Sequence, residues 1–136
     1  MRRTLGLCFA MLLGLRSAHA ERVAADELHL FASYADGAAL HYVIHEQQVA
    51  RAPDWSGEGS PPLSQETATS MALAKHRQRF ATSDARVRKV GAVGKRTHCS
   101  RDVQCPDTLW YYKVKIAGEP AATYVILMDG QFVEPR

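Results

Sequence analysis

The chain has 136 residues, 46% of them hydrophobic and 23% charged, with a formal net charge of +3. That balance fits one globular domain, leaves no room for a second sizeable one, and excludes a disordered chain or a multi-span membrane protein.

The first twenty residues have the layout of a secretory signal. Arg2 and Arg3 precede an apolar stretch over residues 5–15, and Ala18, His19 and Ala20 close it with a small-x-small pattern. The apolar stretch is too short to cross a bilayer as a stable helix, so the expected product is residues 21–136, cut after Ala20 and periplasmic or secreted. Cys8 follows Leu7 and lies too near the start to serve as a lipoprotein cysteine, and the arginine pair alone is a weak twin-arginine signal. Loss of Arg2, Arg3 and Arg16 leaves fourteen basic and fourteen acidic residues, so the basic balance of the whole chain belongs to the signal. Cys99 and Cys105 then remain as an even pair in a compartment where disulfides persist, and they are expected to be bonded. The closed loop is short, worth about 2.4 kcal/mol of loop entropy, enough to pin a loop rather than hold up a fold. The spacing is not C-x-x-C, and His98 beside Cys99 lacks the second ligand pair that zinc needs.

From Leu28 the pattern alternates through Leu30, Ala32 and Tyr34, turns at Asp36 and Gly37, and resumes at Leu40, Tyr42 and Ile44, which predicts a hairpin. Residues 50–62 hold three prolines and form a loop in which Trp55 needs cover. A helix is expected from Ser64, capped by its hydroxyl, with Glu66 at the positive end of the dipole and Lys75, Arg77 and Arg79 towards the negative end. Ala68, Thr69, Ala72, Leu73, His76 and Phe80 share its inner face, and the two small alanines allow a close approach to a sheet. Val87, Val90 and Val93 mark a strand ending near Gly94. Trp110, Tyr112, Val114 and Ile116 alternate with Tyr111, Lys113 and Lys115, a strand with one buried and one wet face. Residues 123–128 are a continuous apolar run, and Asp129 and Gly130 give a two-residue hairpin signal before Phe132 and Val133. The expected fold is α+β: an N-terminal hairpin, then one main helix packed on a curved antiparallel sheet.

From Pro62 onward the residues resemble the PepSY-like modules of secreted bacterial proteins. The likeness is carried by Pro62, Leu63 and Ser64 opening a helix with Ala68 and Ala72. It continues in the run from Trp110 to Val114, and in Val125, Ile126, Leu127, Met128, Asp129 and Gly130 followed by Phe132, Val133, Glu134 and Pro135. It covers roughly the last 75 residues and is a structural pattern rather than a catalytic one. It implies a cystatin-like architecture and a role such as inhibitor or chaperone. With no protease domain following, inhibition would act in trans, and the loop closed by Cys99 and Cys105 is an insertion in the common pattern.

No nucleophile elbow, H-E-x-x-H or phosphate-binding glycine loop is present, and no acid–base pair can be named from spacing, so no catalytic residue, metal or cofactor is expected. His41 and His45 would share a face on a helix but stand about 13 Å apart on a strand. His76 reads as a hydrogen-bonded core histidine. The charge layout is more informative. Residues 75–101 carry a net +8, residues 21–74 a net −6 and residues 102–136 a net −2. Two candidate surfaces follow: Tyr111, Lys113 and Lys115 on an outward sheet face, with an edge strand able to accept an extended peptide, and Arg86, Arg88 and Lys89 within the basic segment. The expected function is an exported, non-catalytic module binding another extracytoplasmic protein or peptide, with inhibition as the role the resemblance implies. The alternatives are a polyanion-binding envelope protein using residues 75–101, and a small metal-dependent hydrolase.

Overall fold

The computed structural model describes residues 23–81 and 84–136, so the expected signal and its cleavage site lie outside the described residues. Strands β1 (Glu27–Ala35) and β2 (Ala38–His45) form an antiparallel hairpin, and the short helix α1 (Glu46–Ala50) follows at once. After a loop come α2 (Gln65–Phe80), β3 (Arg86–Arg96), β4 (Thr108–Ala117), β5 (Ala122–Leu127) and β6 (Phe132–Val133). Strands β3 to β6 pair in chain order as a four-stranded antiparallel sheet, and the fold is α+β with the long helix against that sheet.

Local chemistry explains most boundaries. Asp36 and Gly37 take φ of 50° and 76°, the two positive values a tight I′ hairpin needs. Ser64 caps α2 by accepting a hydrogen bond from the Thr67 amide at 3.1 Å, and Ala81 ends the helix in the left-handed region. Helix α1 begins on an unusual cap: His45 Nδ1 accepts from the Gln47 amide, while Gln48 Oε1 accepts from the His45 amide. A histidine in this role gives no standard cap signal, so the sequence pattern missed α1. Four residues, 128–131, connect β5 and β6 rather than two: the Leu127 amide donates to the Gln131 carbonyl, and among them only Gly130 has positive φ.

The central strands β4 and β5 are buried on both faces over most of their length, which corrects the expectation that β4 has one wet face, while β3 has no fully buried residue. On one side α2 lays down Ala68, Ala72 and His76, all without solvent exposure, against Tyr112, Val114, Ile116, Tyr124 and Ile126. Spaced four apart, these three residues form the flat stripe that lets a helix sit close to a sheet. On the other side the hairpin and α1 contribute Leu28, Leu30, Tyr42, Ile44 and Val49 against Leu109, Tyr111, Val125, Leu127 and Val133. A bulge between His29 and Phe31 helps build this second layer, because Leu30 and Phe31 both join the inner cluster opposite Tyr42.

The C-terminus fastens the hairpin to the sheet. Beyond β6, Pro135 bridges Tyr42, and His41 and Arg136 exchange both backbone hydrogen bonds at 2.9 Å. The Arg136 guanidinium then grips Glu27 through two bonds of 2.8 and 2.7 Å. With the Ala24 amide also bonded to it, the Glu27 carboxyl is lowered from 4.5 to about 2.

Candidate binding surface

The β3–β4 register unites the two groups of basic residues that the sequence kept apart. Lys89 is the cross-strand partner of Lys115, Gly91 of Lys113 and Val93 of Tyr111. Residues opposite one another, and residues two apart on a strand, share a face. Lys89, Lys113 and Lys115 therefore stand together on the hairpin side of the sheet.

Tyr111 does not join them at the surface. It is 2% exposed, roofed by Phe31 with ring centroids 6.4 Å apart, and burial raises its hydroxyl pKa. The expectation of an outward Tyr111 fails because the hairpin covers that end of the sheet. Lys113 lies at the boundary of the cover, half-buried, with its ammonium 3.9 Å from the centre of the Phe31 ring. Its pKa is pushed below 10.5, first by burial and then by the charges of Lys115 and Lys89. Lys115 and Lys89 are exposed.

Strand β3 forms one end of the sheet, with β4 as its hydrogen-bonded neighbour among the described residues. Its eleven residues carry Arg86, Arg88, Lys89, Lys95 and Arg96, and a bulge between Val87 and Lys89 gives Arg88 an extra place on the strand. None of these side chains, nor Lys113 or Lys115, makes an ion pair among the described residues; the pairs there join His45 to Asp26, Lys75 to Glu134 and Arg136 to Glu27. The basic segment 75–101 is not one face. Lys75 sits on α2, bound to Glu134 and stacked over Phe132, on the opposite layer from Lys113.

The other sequence candidates resolve differently. His41 and His45 do not converge: His41 Nδ1 lies 3.2 Å from His29 Nε2 on the neighbouring strand, and His45 bonds Asp26 at 2.8 Å. Among the described residues no group of three or more histidine, cysteine or acidic side chains could hold a metal. His76 is a core residue, with Nδ1 3.0 Å from the Tyr124 hydroxyl and its pKa lowered chiefly by burial. Cys99 and Cys105 are bonded, Cα atoms 6.3 Å apart. Their loop is tied to α1 by Glu46, whose carboxylate accepts from the Ser100 amide at 2.9 Å and its hydroxyl at 2.8 Å.

Sequence spacing could not reveal the cleft of about 380 Å³ where the Trp55 loop meets the disulfide loop, lined by Asp54, Trp55, Cys105, Asp107 and Trp110. Trp55 finds the cover expected for it: its ring meets Trp110 edge-on at 5.0 Å and its indole N–H donates to the Glu58 carbonyl at 2.7 Å.

Comparison with protein-family models, curated proteins and solved structures finds no match to this chain. The likeness to PepSY-like modules therefore rests on the residues quoted for it. No helix among the described residues is long and apolar enough to cross a membrane.

Proposed function

We propose that this is an exported, non-catalytic binding module of PepSY-like type, and that its β3 edge captures an extended acidic segment of another polypeptide. The observation that carries this reading is an eleven-residue edge strand bearing five cations, none of which makes an ion pair among the described residues. An open edge offers unpaired backbone groups to any added strand. A row of cations repels a second copy of the same strand and attracts an acidic one, so charge selects the partner while the backbone supplies the bonding. A polyanion is the weaker reading because the stacking aromatics that single-stranded nucleic acid uses are missing here: Tyr111 is buried and the Phe31 face is occupied by Lys113. Signal-like residues 1–20 and the bonded cysteine pair support export.

The test uses a peptide of alternating Glu and Val and follows amide exchange. Binding should protect backbone amides of residues 86–96, weaken as ionic strength rises, and fall about tenfold in a combined Arg86→Gln, Arg88→Gln and Lys89→Gln variant. Peptide binding without new protection on β3 would overturn the reading. So would binding of a sulfated polysaccharide where the peptide does not bind, an outcome that assigns the surface to polyanions.

A further inference from the structure

Lys89 and Lys115 face one another across the β3–β4 ladder, and Lys113 follows two residues along the same face. Like charges placed directly opposite are destabilising in a sheet. Nothing internal relieves them: no carboxylate pairs with any of the three among the described residues. Lys113 bears an additional burden, since it is half-buried with its ammonium 3.9 Å from the centre of the Phe31 ring. Local consistency favours an acid or a neutral residue at one of these positions, and persistent conflict of this kind is characteristic of functional sites.

We propose that Lys89, Lys113 and Lys115 form a binding site for a tetrahedral dianion of the phosphate or sulfate class. Lysine ammonium groups are compact point charges, unlike the planar fork of arginine that matches a carboxylate. Three such donors on two strands suit the several oxygens of a tetrahedral oxyanion, and a doubly charged ligand offsets more of their repulsion than a carboxylate does. Phe31 restricts water on one side of the Lys113 ammonium and so strengthens its attraction to the ligand. The site uses the face of the sheet rather than its edge; it shares Lys89 with the edge strand, but Lys113 and Lys115 belong to β4, so anion binding does not require strand docking. The same anion could come as an ester on a bound polypeptide or as a free ion.

The experiment titrates inorganic phosphate into isotope-labelled protein at constant ionic strength, with chloride as the balancing ion. The expected result is saturable binding with amide shifts centred on residues 89, 113 and 115, about tenfold weaker in Lys113→Met and in Lys89→Gln. Lys95→Gln, farther along β3, should bind as the parent does. Lys113→Met keeps an apolar stem beside Phe31, and its melting temperature at or above that of the parent shows that the loss is not unfolding. Phosphate shifts no larger than those of chloride, or binding undiminished when Lys89→Gln and Lys113→Met are combined, would overturn the proposal. A phosphoserine peptide binding more tightly than both its unphosphorylated form and inorganic phosphate places the anion on a polypeptide. Equal affinity of phosphopeptide and phosphate places it in solution. Phosphate binding without strand protection at residues 86–96 leaves this site standing and rejects edge docking alone.

Discussion

Replacing Gly57 by alanine tests how the Trp55 loop is seated on the sheet. Gly57 has φ of +86°, and a Cβ built there would lie 2.4 Å from Trp110 Cζ2 and 2.8 Å from Cη2. Two costs therefore add. A left-handed backbone costs a non-glycine residue about 1–2 kcal/mol, and overpacking against the Trp110 ring costs about 1–3 kcal/mol more. The same ring edge lies close to Gly94 of β3, where an added Cβ would be 3.0 Å from Trp110 Cη2. Two controls separate the costs. Gly59 has φ of +70° and nothing within 4 Å, so Gly59→Ala carries backbone strain alone, about 1 kcal/mol after the gain from a stiffer unfolded chain. Gly94→Ala carries crowding without a positive φ and should cost about 1 kcal/mol. Gly57→Ala should cost about 3 kcal/mol in urea unfolding and lower the melting temperature by roughly 10 °C. If Gly57→Ala and Gly59→Ala were equally destabilised, Gly57 would not be packed against the Trp110 ring.

Further outcomes are expected elsewhere. Ala72→Phe should lose about 1–3 kcal/mol because Ala72 has no exposure against the sheet, whereas Gln78→Phe on the exposed face should be near neutral; equal effects would reject the helix orientation. The His76 pKa is held below the ordinary 6.5 by burial and by Arg79, with the Pro120 backbone and Asp84 acting the other way. The unfolded chain then takes up the proton first, and stability should decline as pH falls below about 6.5, a slope that His76→Gln should flatten in urea titrations at stepped pH. The Glu27 carboxyl, at about 2 instead of 4.5, contributes stability above pH 4.5 that is lost as pH falls towards 2; a difference curve against Glu27→Gln that shows no slope in this window would contradict the Arg136 clasp. Reducing the Cys99–Cys105 bond should raise amide exchange in residues 97–107 while the sheet stays protected, and Glu46→Ala should do the same at a cost of about 1–3 kcal/mol by removing the carboxylate that holds Ser100; global unfolding on reduction would show the loop to be part of the core.

What the sequence by itself determined is local. The Asp36–Gly37 turn, the Ser64 cap, the stripe of Ala68, Ala72 and His76, the pairing of two cysteines and the alternation of β4 each depend on residues within a few positions of one another, where turn chemistry and side-chain period act directly. Only the tertiary structure decided what lies against each face. Alternation says that Tyr111, Lys113 and Lys115 point the same way, but tyrosine and lysine both combine an apolar body with a polar tip, so the pattern cannot tell a covered face from a wet one. The hairpin settles it, burying Tyr111 under Phe31, leaving Lys113 at the margin and Lys115 in water. Register is equally non-local. Lys89 and Lys115 are far apart in the chain, and their confrontation arises from the ladder and its bulge, a pairing fixed by long-range packing and invisible to any window of neighbouring residues.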